Sequence, residues 1–152
     1  MTNAKNLAHE PPRSPRSRIG GYALMARMID KGRATLAGTP GEYHFDCPLD
    51  NRLFNFKGVQ ADEVRKLLAS GANDEQIVAW FNTHGTPKTA VEIKTWSDQV
   101  EAWKPYNDAE KKDWFVGECA KVGLKPESAT LFDMLEADDA ASVENEPSAC
   151  SL

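Results

Sequence analysis

The sequence has few cysteines, and they are widely separated. Cys47, Cys119 and Cys150 are odd in number and lie far apart in a chain of 152 residues. No Cys-x-x-Cys pair occurs, so the pattern predicts neither a disulfide framework nor a standard zinc site. We therefore expect a reducing, cytoplasmic compartment, no metal and no cofactor.

Long apolar runs are also missing. No stretch approaches the roughly 18 apolar residues that a membrane-spanning helix needs. The opening residues, MTNAKNLAHEPP, lack the apolar region of a signal peptide. We accordingly expect no membrane association. No window alternates polar and apolar residues with the period of a strand, which leaves an all-α fold as the prediction.

Basic residues are plentiful at the start of the chain and absent from its end. Residues 1–36 hold seven Lys or Arg and two Asp or Glu, whereas residues 126–152 hold seven acids and no base. This asymmetry indicates either an anion-binding N-terminal face or internal complementarity between the two ends. The formal net charge of −5 disfavours nonspecific nucleic-acid binding, which normally rests on a net basic surface.

The expected organisation is a single compact domain of six or seven short helices packed orthogonally, covering residues 11–135. An extended Pro/Arg-rich arm precedes the first helix, because Pro11, Pro12 and Pro15 exclude helix locally. Residues 1–10 are predicted to be a flexible tail and residues 136–152 an acidic disordered tail. The oligomeric state is left open.

Helix boundaries can be predicted from capping patterns. Tyr22–Leu36 has an apolar stripe opposite a charged face formed by Arg27, Asp30, Lys31 and Arg33. The spacing places Asp30 three residues from each of the two arginines, so it can lie between them. The patterns Asn73 with Gln76, Thr89 with Glu92 and Asn107 with Glu110 predict three helix starts, and Gly123-Leu124 predicts a helix end.

The arm provides the main candidate for a binding site. Arg13, Arg16 and Arg18 run into Gly20-Gly21 at the expected start of the first helix, where backbone N–H groups and the positive helix end favour a phosphate or carboxylate. On the alternative interpretation, the same arginines clamp the arm onto the protein's own carboxylates, which suits their five donors equally well. The charged face of the first helix is open to two other interpretations. It either lines a cleft that holds an acidic small molecule, with Asp30 orienting the basic groups, or is a solvated helix face with ordinary i,i+3 and i,i+4 pairs.

Three hypotheses for function follow from these residues. The first is a binding module for a small anionic ligand or an acidic partner, with the candidate ligand-binding residues Arg16, Arg18, Gly20, Gly21, Arg27 and Arg33. The second is an enzyme for a carboxylate- or phosphate-bearing metabolite, in which Tyr43 or His44 transfers protons and Asp30 orients the arginines. The third is a structural oligomerisation domain. The approach of Tyr43 or His44 to the arginines within one cavity distinguishes the enzyme from the binding module. The structural hypothesis predicts an exposed apolar patch and no cavity.

Other motifs are weaker. His44, Asp46 and Cys47 lie close together in sequence, but their spacing matches no zinc pattern. Residues 61–70 and 74–83 have helix-turn-helix spacing, yet the second segment has no Lys or Arg, so we expect no nucleic-acid partner. The four tryptophans, Trp80, Trp96, Trp103 and Trp114, are expected in the core, with one or two available for a ligand cleft.

Several stretches together resemble a known family. These are PPRSPR, GGY, RMIDKGRATLAG, GEYHF and CPLDNRLFNFKG, with ADEVRKLL and NDEQIVAWF more loosely. They are similar to a bacterial family of small proteins, the domain of unknown function 5069, over His9 to Leu135. The resemblance implies a stand-alone, cytoplasmic, mostly helical bacterial domain, and it assigns no catalytic residue.

Overall fold

The computed structural model describes residues 4–144, with side chains described as far as residue 141. Within this range the chain forms seven α-helices and one short 3-10 turn, and it contains no β-strand. The expected all-α, compact fold is therefore confirmed. The helices are α1 Met25–Ala37, α2 Pro48–Lys57, α3 Ala61–Ala69, α4 Asp74–Thr83, α5 Ala90–Ala102, α6 Lys112–Val122 and α7 Leu131–Glu144, with the 3-10 turn Pro105–Asn107 before α6.

Local capping chemistry sets most of these boundaries. The capping boxes expected at Asn73 and Thr89 are confirmed at the starts of α4 and α5. Gly123 ends α6 with a left-handed backbone, as expected. The cap expected at Asn107 is wrong, because Pro105 starts a 3-10 turn there and α6 begins only at Lys112.

The first helix begins three residues later than its periodicity predicts. Gly20 and Gly21 both have positive φ, as the central residues of a type I′ turn require. This turn brings Ile19 into a bridge with Tyr22. The backbone N–H of Leu24 then donates to the carbonyl of Pro15 at 3.0 Å, and α1 starts at Met25. Gly20-Gly21 therefore form a turn before α1 and do not open it.

The core has two parts that meet at α7. The larger part packs side chains of α1 to α5 around Met28, Ile29 and Phe54, and the smaller part packs α6 against α7 around Phe115. Phe132 of α7 is completely buried in a cluster with Ala23 and Leu24, just before α1, and with Val100 of α5, and this cluster joins the two parts. Because α1 is covered on almost all sides, its charged face also lies beneath other elements.

Ordered structure extends into both of the segments that were predicted to be terminal tails. Leu7 is buried, and its N–H donates to the carbonyl of Thr39 at 2.9 Å, so this part of residues 1–10 packs on the globule. At the other end, α7 starts at Leu131, after the Thr130–Asp133 cap, and continues past the expected boundary at 135 to Glu144. The remainder of the predicted acidic tail, residues 145–152, lies outside the described residues.

No helix in the described part of the chain is both long enough and apolar enough to cross a membrane.

Candidate functional site

Arg16 joins the opening segment to the last helix. Its Nε atom lies 2.9 Å from Glu136, its guanidinium also contacts Asp133, and Glu101 of α5 lies 3.5 Å away. The hydroxyl of Ser14 donates to the same Glu136 at 2.6 Å. The positive start and the negative end of the chain are thus paired with each other.

Arg18 makes a similar contact with α5. Its guanidinium lies 2.9 Å from Asp98 and 3.1 Å from Glu101. A ligand at Arg16 or Arg18 would have to compete with these carboxylates. Their part in ligand binding stays a prediction, and their structural part is to hold the opening segment on α5 and α7.

The backbone around Gly20 and Gly21 is also engaged by the protein itself. The N–H of Ala23 donates to the Ser97 hydroxyl at 2.9 Å, and that hydroxyl donates to the carbonyl of Gly21 at 2.7 Å. A Cβ on Gly20 would overlap Val78 of α4. The two glycines therefore serve a tight turn packed on α4 and α5, while their role in anion binding stays a prediction.

Asp30 does organise an arginine, although the arginine is not one of the expected pair. It accepts hydrogen bonds from the backbone N–H of Arg13 at 2.8 Å and from the Nε of the same residue at 3.1 Å. Arg33 instead pairs with Asp74, a carboxylate that lies between two guanidiniums, at 2.8 Å from Arg13 and 3.1 Å from Arg33. Sequence spacing could not identify it, because Asp74 lies on α4, far from α1 in sequence.

The electrostatics of Asp74 follow from these neighbours. Partial burial acts to raise its pKa, but hydrogen bonds and charge from Arg13, and then from Arg33, outweigh this and lower the pKa overall. The ionised carboxylate is thus the form that the fold favours.

Arg27 is buried in a pair with α7. Only 5% of the residue is exposed, and its two terminal nitrogens donate to both oxygens of Asp139, at 2.8 and 3.2 Å. The hydroxyl of Tyr43 donates to Asp139 at 2.8 Å, and the Arg27 guanidinium lies 5.4 Å from the centre of the Tyr43 ring. Burial, followed by the charge of Asp139, raises the pKa of Tyr43. At neutral pH Tyr43 is therefore a hydrogen-bond donor.

A cavity of about 1080 Å³ lies beside this buried group. Its walls come from the N-terminal segment, α1, the connector before α2, α2 itself, the region around α6, and α7. Arg27, Tyr43 and His44 all line it. The predicted residues Arg16, Arg18, Gly20, Gly21, Asp30 and Arg33 do not. The structure thus brings one expected arginine and both expected proton-transfer groups to a single cavity.

The cavity combines an apolar lining with charged groups. Leu49, Leu131 and Leu135 contribute aliphatic surface, and Trp103 and Trp114 contribute aromatic rings. Trp114 is 49% exposed, so the expectation that it belongs to the core is wrong. Trp103 and Trp114 are the two tryptophans that line a cleft. A flat apolar molecule could pack here.

Arg52 is the cavity residue that sequence reasoning missed. Its guanidinium lies 4.0 Å from the centre of the Trp103 ring, a cation–π contact. Among the described residues no carboxylate pairs with it, and the same is true of Lys111, another wall residue. A signal did exist in the sequence, since no acid lies three or four residues from Arg52 on α2.

The other end of the cavity carries negative charge. Asp138 lines it there, seven residues beyond Leu131 and therefore roughly 10 Å along the helix. The N–H of Leu131 is bonded to the carbonyl of Trp103, which places Leu131 at the Arg52 end. Partial burial, followed by Asp139 and Glu118, raises the pKa of Asp138. The cavity lining thus contains both cations and acids, and Glu10, Glu42 and Glu110 also contribute to it.

Cys47 and Lys31 form a further polar group in the wall. Lys31 is 4% exposed, and its Nζ atom lies 2.9 Å from Asp50 and 3.2 Å from the Cys47 sulfur. Burial, opposed by Lys31, raises the pKa of Asp50. Within the described residues, no group of three His, Cys, Asp or Glu side chains is arranged to hold a metal ion.

Comparison with known proteins identifies the family. A search of curated proteins gave no significant match. Residues 9–141 match the family model described as domain of unknown function DUF5069. This match includes α1 to α6, all but the end of α7, and every cavity residue named above. The chain therefore belongs to the DUF5069 family.

Proposed function

We propose that the chain is a binding module for a small ligand that carries an anionic group on a flat apolar body, and that this ligand occupies the cavity between α1, α2 and α7. Arg52 and Lys111 bind the anionic group, and Trp103 and Trp114 pack against the apolar body. A hydrogen-bond donor on the ligand would face Asp138 at the other end. We further propose a bacterial, cytoplasmic protein, as the resemblance implies.

The observation that carries this proposal is the difference between Arg52 and the other cavity arginine. Arg27 is neutralised by two hydrogen bonds to Asp139, whereas Arg52 contacts an aromatic face and has no carboxylate partner among the described residues. A guanidinium that is already oriented and has free donors can bind a carboxylate or phosphate through two parallel hydrogen bonds.

The predicted residues have a place in this proposal. Arg27 supports the cavity wall by fixing Asp139 and Tyr43. The elements around the cavity are held together by Arg16, Arg18 and Arg33. These arginines could bind an acidic partner directly only if its acidic groups replaced the carboxylates with which they now pair. Gly20 and Gly21 shape the turn before α1.

An enzyme is the second candidate, because Tyr43 and His44 share the cavity with cationic side chains. The raised pKa keeps Tyr43 protonated, and its hydroxyl would donate to a substrate oxygen by exchanging Asp139, to which it now donates. His44, which is exposed, is then the candidate proton acceptor. This version uses the same binding site, so the test of binding comes first.

The test is a comparison of two probes that differ only in charge. Indole-3-acetate has a flat ring and a carboxylate, and indole-3-acetamide is its neutral counterpart. At about ten times the dissociation constant, a ligand stabilises the native state by about 1.4 kcal/mol and raises Tm by about 3–6 °C. We expect this rise with the acid and not with the amide.

Variants locate the effect. Arg52→Ala should abolish the rise, while Arg65→Ala should retain it. Arg65 is a matched control, because it is an exposed arginine on an aromatic ring, Phe45, outside the cavity. An equal response to acid and amide, or an equal response in the two variants, would contradict the proposed site.

A further inference from the structure

The environment of Cys47 includes two hydrogen-bond donors directed at its sulfur. The buried ammonium of Lys31 lies 3.2 Å from Sγ, and the backbone N–H of Asp50, in the first turn of α2, donates to Sγ at 3.4 Å. Cys47 is the N-cap residue of α2. Both groups donate to the sulfur, which is the atom that attacks in the reactions of cysteine.

Lys31 also has capacity to bind a ligand. An ammonium group has three N–H donors, and the described residues supply two acceptors, Asp50 and the sulfur of Cys47. Lys31 lines the cavity and is 4% exposed. Asp50 balances the charge of Lys31, so what Lys31 offers an anionic group that enters the cavity is its one spare N–H donor.

The sulfur is both held in place and reachable. The side-chain amide of Asn51 donates to the carbonyl of Cys47 at 3.0 Å and to the carboxylate of Asp46 at 2.8 Å, which fixes the backbone before α2. Cys47 is half-buried and lines the cavity. Cys119, by contrast, is completely buried, and burial raises its pKa, so it is an internal reference for an unreactive thiol.

We propose that Cys47 is a nucleophile for carbon electrophiles that carry a carboxylate, with Lys31 guiding the carboxylate toward the sulfur. The suited natural class is an α,β-unsaturated carbonyl compound bearing a carboxylate. In that addition the sulfur forms a bond to the β-carbon, the electrons of the carbon–carbon double bond move to the carbonyl side, and the thiol proton ends on the α-carbon. The choice of an anionic electrophile rests on the proposed function, whereas the reactivity of Cys47 does not.

The test compares iodoacetate with iodoacetamide, which share one reactive carbon and differ in charge. In both reactions a sulfur–carbon bond forms, the carbon–iodine bond breaks, iodide leaves, and the thiol proton passes to the buffer. Mass spectrometry of peptides containing Cys47 or Cys119 measures each rate separately. The ratio of the iodoacetate rate to the iodoacetamide rate cancels differences in accessibility.

We expect this ratio at Cys47 to be about tenfold higher in the folded protein than in the same protein unfolded in urea, because the cation acts only in the fold. The variant Lys31→Met with Asp50→Asn removes both buried charges together and should return the ratio to its unfolded value. If that variant does not fold, the comparison of folded and unfolded native-sequence protein still decides. A ratio that does not change on folding, or a folded Cys47 as unreactive as Cys119, would overturn the proposal.

The variant Arg52→Ala separates this inference from the proposed function. If indole-3-acetate does not bind the native-sequence protein but Cys47 still prefers iodoacetate, the proposed function is wrong and the proposal for Cys47 is retained. Loss of the preference in Arg52→Ala would assign the guidance to Arg52, and the role of Lys31 would be overturned.

Discussion

At the scale of single residues, most of the arginines are engaged in ion pairs within the protein. Arg13, Arg16, Arg18, Arg27 and Arg33 all pair with carboxylates on other elements. For the arginines of the arm the sequence predicted such pairing as one of two alternatives, but it could not name the partners, because they are distant along the chain. For Arg27 the alternative of a solvated face is wrong, because the residue is buried. Asp30 illustrates the limit, since its role as an organiser of arginine was predictable and its partner Arg13 was not.

The buried pair of Arg27 and Asp139 leads to the first prediction. Arg27→Ala leaves Asp139 buried with only the Tyr43 hydroxyl as a hydrogen-bond partner of those described. Removal of one partner of a buried pair costs about 3–5 kcal/mol, and we expect that loss in the free energy of unfolding measured with urea.

The matched control for that experiment removes both charges. Arg27→Met with Asp139→Leu should recover at least half of the loss, because no buried charge remains unpaired. If Arg27→Ala alone were as stable as the native-sequence protein, the pair of Arg27 and Asp139 would have to be open to solvent.

The lowered pKa of Asp74 predicts a dependence of stability on pH. Because the folded pKa lies below the unfolded value of about 3.9, the contribution of Asp74 is fully present above that value and is lost as pH falls through the folded pKa. Urea unfolding at pH values from 6 down to 3 should therefore show a steeper loss for the native-sequence protein than for Asp74→Asn. Parallel curves for the two proteins would contradict the shift.

At the scale of elements, capping chemistry was the most predictable feature. The boxes at Asn73 and Thr89 depend on side chains three residues apart, so the sequence contains the whole signal. The start of α1 was not predictable in the same way. It depends on Leu24, which has a left-handed backbone and a hydrogen bond to Pro15, and periodicity carries no information about either.

The turn before α1 provides a prediction at this scale. Gly20→Ala places a Cβ against Val78 at a residue with φ of +60°, so we expect a loss of about 1–3 kcal/mol of stability. Gly117→Ala is the opposite case, because Gly117 lies inside α6 with nothing within 4 Å of the added Cβ.

Gly117→Ala should stabilise the protein by about 0.5–1 kcal/mol, since alanine loses less conformational freedom on forming a helix than glycine does. Thermal unfolding of both variants measures the difference. Equal Tm values for Gly20→Ala and Gly117→Ala would contradict the geometry of the turn.

At the scale of the whole molecule, the charge asymmetry of the sequence corresponds to contacts between its two ends. Composition alone allowed either a ligand face or internal pairing, and the contacts of Arg16 and Arg27 with α7 follow the second pattern. The cavity could not be predicted, because its walls come from segments that only the tertiary fold brings together. Arg52 is the clearest example, since its ring partner Trp103 lies beyond the end of α5.

The extent of α7 predicts the effect of truncation. A chain ending at residue 135 loses Glu136, one of the three carboxylate partners of Arg16, and Asp139, the partner of Arg27. We expect it to be less stable by at least about 3–5 kcal/mol than a chain ending at residue 144. Urea unfolding of the two truncated chains gives the comparison, and equal midpoints would show that the end of α7 is dispensable.

The most direct test of the central claim is to observe every arginine at once. Selective ¹⁵N labelling makes the Nε–H signals of all seven arginines visible by NMR, and indole-3-acetate is then added, with indole-3-acetamide as the control. We expect the acid to shift the Arg52 signal most and to leave those of Arg16, Arg18 and Arg33 in place. Shifts at those three with none at Arg52 would contradict the cavity and favour the arm as the binding surface.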